Sequence, residues 1–210
     1  DLFYIEAKEK ELQTARLQND LLESQLRMLK MQLQPHFLFN ALNSIVSSIH
    51  RERLDTAVDM TTDLSELLRI SLAEADQQLV PLAKELHHVK TYLNIENHRF
   101  KDLKVEYQVA QELMDTMVPN FILQPIVENS IKHGISKKQE ANKITLAIQK
   151  AQQEIVIQVY NEGPPLASHT GEGVGVSNIK KRLLATYAQG ASFAMKSQQN
   201  GVMAEIHLPI

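Results

Sequence analysis

Residues 144–161, "ITLAIQKAQQEIVIQVYN", decide the fold of the second half of the chain. Apolar and polar residues alternate on both sides of the polar pair at 152–153, as in two strands joined by a turn. The stretch "LKVEYQV" at 103–109 alternates in the same way. The closing residues 191–210 predict a further hairpin, which turns at 199–201.

Two helical stretches lie among these strands. "FILQPIVENSIKHG" at 121–134 is predicted to end at Gly134, and "VSNIKKRLLATYAQG" at 176–190 to end at Gly190. Glycine is the usual residue just after the last turn of a helix. Helices packed on one face of a mixed sheet make this half an α+β domain.

The first hundred residues have a helical pattern instead. Apolar positions recur in steps of three and four, which predicts a parallel coiled coil followed by an all-α dimerisation region. Asn19 interrupts the repeat, where it either selects a two-stranded register or is a solvated position on a lone helix. A second apolar stripe favours a four-helix bundle with two helices from each chain. The repeat consists of Ile5, Leu12, Asn19, Leu26 and Leu33 with Ala15, Leu22 and Leu29; the second stripe is Leu17, Leu21, Met28 and Met31.

Two further amphipathic helices are predicted before the first strand. The helix at 56–72 has Val58, Leu64, Leu67 and Leu68 on its apolar side. The next begins near Pro81, a residue that suits the first turn of a helix. Its apolar positions are Leu82, Leu86, Val89, Leu93 and Ile95, and its adjacent histidines His87 and His88 are interpreted as surface residues.

Composition excludes several classes of protein. The 210 residues have 43% apolar and 22% charged side chains, a net charge of −3 and no cysteine. This balance does not indicate nucleic-acid binding, and no disulfide or thiolate metal site is possible. No apolar run approaches the roughly 20 residues that span a bilayer. The chain opens at Asp1 without methionine, and we interpret it as part of a longer protein.

Three short segments contain residues suited to catalysis or ligand binding. In "QPHFLFN", Pro35 is expected to kink the helix and turn His36 out of the bundle core. Asn129 offers an amide oxygen for a hard cation such as Mg²⁺, and Lys132 lies nearly one turn later, within reach of phosphate. Before the last helix stand Gly171, Gly173 and Gly175, which either let backbone N–H groups approach phosphates or form a flexible loop.

Together these segments resemble one family. "LKMQLQPHFLFNALNSI", "FILQPIVENSIKHG" and "GEGVGVSNIKKRL" look like the motifs of sensor histidine kinases of the LytS/YehU type, in the family's order. The resemblance implies a coiled-coil signalling helix at 1–33 and dimerisation and phosphoacceptor helices at 34–100. It implies a Bergerat-type ATP-binding domain, a mixed sheet with helices on one face, at 101–210.

The resemblance also implies roles for single residues. His36 matches the phosphoacceptor, where a lone histidine would otherwise be a core or capping residue. Asn129 matches the Mg²⁺ ligand, and Lys132 and His133 match positions that contact phosphate or form a solvated helix end. The glycines of the ATP lid correspond to Gly171, Gly173 and Gly175. Arg182 matches an arginine that either contacts nucleotide or forms a structural ion pair.

Two departures from the family pattern affect the chemistry. Asn161, two residues before Gly163, stands where the superfamily has an aspartate that accepts a bond from the adenine amino group. Phe37 stands where many kinases have an acid beside the phosphoacceptor, so the base is Glu128 or is absent. Asn40, one turn after His36, matches a position that orients water for dephosphorylation, or is a plain surface residue.

The resemblance therefore implies an ATP-dependent protein-histidine kinase of a two-component system, with response-regulator phosphatase activity as a possible addition. It implies ATP and Mg²⁺ as cofactors, a homodimer, and the receiver domain of a response regulator as partner. The chain is expected to be the cytoplasmic part of a bacterial inner-membrane sensor. The alternatives are a non-catalytic nucleotide-binding signalling dimer and an ATPase of the same superfamily without a phosphohistidine.

Overall fold

The structure is a computed structural model in which two compact units are distinct, Asp1–Asp76 and Gln77–Ile210. The coiled coil predicted for 1–33, with Asn19, falls outside the described residues except for Lys8. Gly171 and Gly173 fall outside them too, and so does the segment before Pro35 on which the expected kink depends. The structure describes Lys8 and residues 35–73, 77–100, 102–138, 140–166 and 174–210.

The first unit contains two packed helices, α1 (Pro35–His50) and α2 (Leu54–Ala73). They are joined by a tight turn in which Glu52 adopts a left-handed φ of 58°. Apolar residues recur in steps of three and four along one side of α2, so that side is buried against α1. The buried apolar residues are Phe37, Ala41, Ala57, Met60, Leu64 and Leu67.

The predicted apolar side of α2 is only partly buried in the lone chain. Leu64 and Leu67 are buried, whereas Val58 is 62% exposed. It lies one position after Ala57, about 100° around the helix, and therefore points away from the seam that Ala57 and Met60 form. Large apolar residues on both helices are exposed in the lone chain: Phe39, Leu42, Val46, Ile49, Leu54, Val58 and Leu72.

The second unit has an α+β fold, as predicted. Its elements are β1 (Leu79–Pro81), α3 (Leu82–Asn97), β2 (Lys104–Val109), β3 (Met117–Pro119), α4 (Gln124–Asn129), β4 (Lys143–Ala151), β5 (Glu154–Glu162), α5 (Val174–Tyr187), β6 (Ser192–Gln198) and β7 (Gly201–Pro209). A five-stranded sheet has the order β2-β4-β5-β7-β6, in which β2 and β4 are parallel and the other neighbours antiparallel. A separate antiparallel pair joins β1 to β3.

Alternation fixes which face of the sheet is buried. Every second residue along the central strands points to the core, as the period of two requires. The fully buried side chains include Ile144, Leu146, Ile148, Ile155, Ile157 and Ile206. None of the described helices is both long and apolar enough to cross a membrane.

Both predicted glycine helix ends need correction. After Asn129 the helix continues as a π turn over Ser130–Gly134, and Gly134 has a φ of −101°, which is not left-handed. The last long helix ends at Tyr187, and the left-handed residue after it is Ala188, with a φ of 52°. The glycines are therefore not the residues that terminate these helices by left-handed conformation.

Helix α3 belongs to the second compact unit, which begins at Gln77, within the helical region predicted at 34–100. Pro81 precedes its first turn, and its five predicted apolar residues are all buried. His88, interpreted as a surface residue, is only 2% exposed, and its ring stacks on Phe121 with 5.5 Å between centroids. His87 is exposed as predicted.

Candidate functional site

His36 is the second residue of α1, and its imidazole is exposed. Asn40, one helical turn later, places its Nδ2 3.1 Å from His36 Nδ1 and 3.3 Å from His36 Nε2. An amide N–H that donates to one ring nitrogen determines which of the two nitrogens carries the proton. The next residue, Phe37, is buried and offers no acid. Asn40 is thus the polar partner that the structure gives the histidine.

Asn161 lies buried near the end of β5, at the edge of the second unit's candidate site. Its Nδ2 donates to the Glu162 carbonyl oxygen at 3.0 Å. Because the nitrogen half of the amide is used within the chain, the carbonyl half is the part that remains to accept a bond from a ligand.

Three glycines pack around Asn161 so tightly that a Cβ has no room. A Cβ on Gly134 would overlap the Asn161 side-chain amide and lie 2.7 Å from the Glu162 carbonyl oxygen. A Cβ on Gly163 would lie 2.6 Å from Gly134 Cα, and the φ of Gly163 is 144°, which favours glycine. A Cβ on Gly201 would overlap the Asn161 backbone carbonyl oxygen. Gly134 therefore packs directly against the Asn161 side-chain amide, and Gly163 and Gly201 allow close backbone approaches beside it.

We expect Gly134→Ala to destabilise the second unit by about 2 kcal/mol, because the new methyl group overpacks the contact with the Asn161 amide. Urea unfolding measures the change. Gly190→Ala is the matched control, since its Cβ would meet the nearest atom, the Tyr187 carbonyl oxygen, at 3.2 Å. Equal unfolding midpoints for the two variants would contradict the close packing of Gly134 against Asn161.

Asn129 ends α4 and faces the start of α5. A Cβ on Gly175 would lie 3.1 Å from Asn129 Nδ2, so glycine lets the lid-side helix approach this amide closely. Lys132 and His133 follow, exposed, on the π turn. Partial burial lowers the pKa of His133, and the neighbouring cations Lys132 and Lys137 lower it further. The cations that crowd this turn suit an anionic ligand.

The described residues contain no group of three His, Cys, Asp or Glu side chains that could hold a metal ion. A cation at this site would therefore depend on the Asn129 amide oxygen and on oxygens brought by a ligand. Mg²⁺ is commonly held in this way, with few protein ligands and with substrate phosphates. The residues present fit Mg²⁺ only together with a phosphate ligand.

Glu128 and Arg182 have partners within the second unit. The Gln124 amide donates through Nε2 to Glu128 Oε1 at 2.9 Å. Arg182, on α5, is half-buried and donates through Nη1 to the Asn120 carbonyl oxygen. The structure thus gives Arg182 a bond to the backbone, while the nucleotide contact and the structural ion pair considered for it stay predictions.

Sequence reasoning missed Glu85, which is fully buried on α3. Its carboxylate accepts hydrogen bonds from the backbone N–H groups of Phe121, Ile122 and Leu123, the turn that precedes α4. Burial raises the pKa of Glu85 to about 7, although these N–H groups and Arg182 favour the ionised form. Its neighbours in the sequence include Lys84, His87 and His88, so the sequence gave no sign that Glu85 is internal.

Known proteins similar to this chain are sensor kinases. A family model described as "Histidine kinase" matches residues 24–104. The sensor protein LytS of Bacillus subtilis (strain 168) is 32% identical over 95% of this chain and 36% of its own length. The sensor histidine kinase BtsS of Escherichia coli (strain K12) is 36% identical over 78% of this chain and 29% of its own length. The chain thus spans about a third of the length of these relatives.

Solved structures show the same fold at low sequence identity. The histidine kinase domain of the blue-light activated kinase EL346 from Erythrobacter litoralis has a TM-score of 0.51 at 15% identity, covering 90% of this chain and 93% of its own. The histidine kinase AdeS of Acinetobacter baumannii has a TM-score of 0.50 at 16% identity, covering 90% of this chain and 96% of its own. These likenesses confirm the fold class predicted from the sequence.

Proposed function

Because this chain is a relative of the LytS-type sensor histidine kinases, we propose that it autophosphorylates His36 with ATP and passes the phosphoryl group to a response-regulator aspartate. One observation carries the proposal. The first unit presents an exposed histidine with an amide partner, and the second holds two asparagines, Asn129 and Asn161, beside closely packed glycines. Each half of the reaction thus has residues of suitable chemistry.

The second unit binds ATP in this proposal. Asn161 accepts a hydrogen bond from the adenine amino group through its carbonyl oxygen, and Gly163 packs closely beside it against Gly134. A neutral acceptor forms a weaker bond than the usual carboxylate, so adenine affinity is expected to be modest. Asn129 holds Mg²⁺, while Lys132 and His133 face the phosphates, as the lid glycines Gly171, Gly173 and Gly175 do. Mg²⁺, when bound, neutralises phosphate charge.

His36 is the nucleophile, because a neutral imidazole nitrogen attacks phosphorus readily near pH 7. Asn40 orients the ring by its hydrogen bond, a role for which its 3.1 Å contact is suited. Glu128 is the base proposed to take the imidazole proton, although its bond to Gln124 must be shared or broken. Asn40 is also the residue proposed to place water for dephosphorylating the regulator.

The active form is proposed to be a homodimer built on the first unit. The exposed apolar residues of α1 recur in steps of three and four along one face, as in helices that pack in a bundle. A receiver domain of a response regulator is the second partner. Since the relatives are named sensors and are about three times longer, we also propose a preceding sensor region in the bacterial inner membrane.

We expect Val46→Glu to raise the dimer dissociation constant at least about tenfold, because a charge is costly on a surface that dimerisation buries. Val46 is 50% exposed in the lone chain. Sedimentation equilibrium measures the constant, with Gln149→Glu, at an exposed polar position in the second unit, as the control. Equal dissociation constants for both variants would place the dimer contact elsewhere.

The competing function is a nucleotide-binding dimer that signals without catalysis. Asn161 and Phe37 stand where the family pattern has acidic residues. Neither side chain carries a negative charge, and this favours the non-catalytic dimer. Incubation with [γ-³²P]ATP and Mg²⁺ separates the candidates. Acid-labile, base-stable label on the protein supports the kinase. Phosphate release without protein label indicates an ATPase. The absence of both released phosphate and protein label indicates the non-catalytic module.

A further inference from the structure

The turn at 120–123 is held from two sides by buried polar groups. From α3, the Glu85 carboxylate accepts the N–H of Phe121, and its Oε2 accepts those of Ile122 and Leu123 at 2.9 and 3.0 Å. From α5, Arg182 donates to the carbonyl oxygen of Asn120. Consecutive backbone N–H groups of this kind form a concave site for an anion, and here an internal carboxylate occupies it.

The turn also has an unusual backbone. Phe121 has a φ of 54°, a left-handed conformation that bulky residues rarely adopt. Such a conformation persists where surrounding contacts over-determine it, and the Glu85 bond to the Phe121 N–H is one such contact. The carboxylate therefore does more than satisfy three donors, because it holds the chain in the turn that starts α4.

Helix α4 carries this constraint to the nucleotide site. It begins at Gln124, directly after the turn, and its last residue is Asn129. At about 1.5 Å per residue, this helix is under 10 Å long, so a shift of its first turn displaces its end. Asn129 contacts α5 at Gly175. The same helix contains Arg182, which donates a hydrogen bond to the turn at 120–123. The positions of α4 and α5 thus depend on one turn.

We propose that Glu85 is a positioning residue for nucleotide binding: its carboxylate fixes the turn at 120–123 and thereby the place of Asn129 beside α5. This rests on the proposed function, in which Asn129 is the Mg²⁺ ligand. Glu85 lies outside the sequence motifs that contain the proposed nucleotide residues, and it acts in this proposal through the turn.

If Glu85 positions the turn, its ionisation makes both protein stability and nucleotide affinity depend on pH. The groups that face it are His88 on its own helix, with Nδ1 3.8 Å from Oε1, and Arg182 from α5. The turn contributes only backbone N–H groups. Burial raises the pKa from 4.5 to about 7, so the free energy of unfolding falls as pH rises through that range. The ionised form that positions Asn129 becomes dominant over the same range, so stability and nucleotide affinity change in opposite directions.

Glu85→Gln tests this with Mg·ATP as the probe in titration calorimetry of the whole 210-residue chain. We expect about tenfold weaker binding at pH 8, where the carboxylate is ionised, shrinking to about twofold at pH 6. The matched control is Glu96→Gln, another buried acid on α3, which accepts two 2.7 Å bonds from Arg99 and does not touch the turn. Its affinity is expected to stay within about twofold of wild type.

Asn129→Ala in the same titrations separates this inference from the proposed function. If Asn129→Ala binds Mg·ATP as wild type does, the part of the proposed function that makes Asn129 the Mg²⁺ ligand fails, and the positioning role fails with it. If Asn129→Ala loses binding while Glu85→Gln keeps it at pH 8, only the positioning role fails. A loss in Glu85→Gln that is equal at pH 6 and 8, or equal in Glu96→Gln, would also overturn the role of the charge.

The wild-type protein without nucleotide provides a second measurement, which holds even if Glu85→Gln does not fold. The backbone amide resonances of Phe121, Ile122 and Leu123 are expected to titrate with a midpoint near the pKa of Glu85, about 7. The side-chain amide of Asn129 is expected to follow the same curve. An Asn129 amide that does not change while the turn titrates would show that the turn does not position it.

Discussion

His36→Gln is expected to abolish incorporation of phosphate from [γ-³²P]ATP, reducing the rate by at least about a thousandfold, because no other group replaces the nucleophile. Binding of Mg·ATP is expected to stay close to wild type. His36 lies in the first unit, whereas the nucleotide residues lie in the second. Glutamine keeps a polar side chain of similar length at an exposed position, so the fold should be preserved.

His50→Gln is the control for this variant. His50 is the last residue of the same helix and is exposed, as His36 is. The control is expected to incorporate label at the wild-type rate. Equal labelling of His36→Gln and wild type would move the phosphoacceptor to another residue, whereas lost nucleotide binding in His36→Gln would indicate a folding defect.

Asn129→Ala is expected to weaken Mg·ATP binding on the order of 100-fold, because it removes the protein ligand of the cation that neutralises the phosphates. Calorimetric titrations with ATP, with and without Mg²⁺, measure the effect. The wild type should bind more tightly with Mg²⁺, and the variant should lose that difference. Alanine also leaves room beside Gly175, so no overpacking is introduced.

Asn178→Ala provides the control, since Asn178 is an exposed asparagine on the surface of α5. It should bind as wild type does in both titrations. Asn129→Asp adds a further comparison because it keeps an oxygen ligand but brings a charge. Unchanged Mg²⁺ dependence in Asn129→Ala would mean that Asn129 is an ordinary helix residue.

Alternation was sufficient to predict the strands of the five-stranded sheet, since a sheet with one buried face imposes a period of two on each strand. The short strands β1 and β3 were not predicted. The helix ends could not be predicted in the same way. Gly134 resembled a C-cap in the sequence. A glycine is needed there because the Asn161 amide, near the end of β5, and the Gly163 backbone pack directly against it. A contact between residues 27 and 29 positions apart along the chain leaves no local signal.

The contacts of helix α3 could not be predicted for a related reason. Helix α3 was grouped with the preceding helices because its pattern is helical and amphipathic. In the structure it buries polar residues as well, including Glu85, Thr91 and Glu96, because it is covered by the α+β unit. Their partners lie elsewhere: the N–H groups that Glu85 accepts come 36 to 38 residues later.

The candidate site divides along the same line. Resemblance of motifs pointed to Asn129, Lys132, Asn161 and Gly163, and the structure shows how Asn161 and Gly163 pack beside the turn that carries Lys132. Glu85 could not be found this way, since nothing near it in the sequence distinguishes a buried acid from a surface one. Only the three converging N–H groups identify it.

The most direct test of the account is to locate the phosphate. Wild-type protein is incubated with Mg²⁺ and [γ-³²P]ATP, digested at alkaline pH, and its labelled peptides are identified by mass spectrometry. The account predicts one acid-labile, base-stable label, on the peptide that contains His36. Label on another residue, or hydrolysis of ATP with no label on the protein, would contradict it.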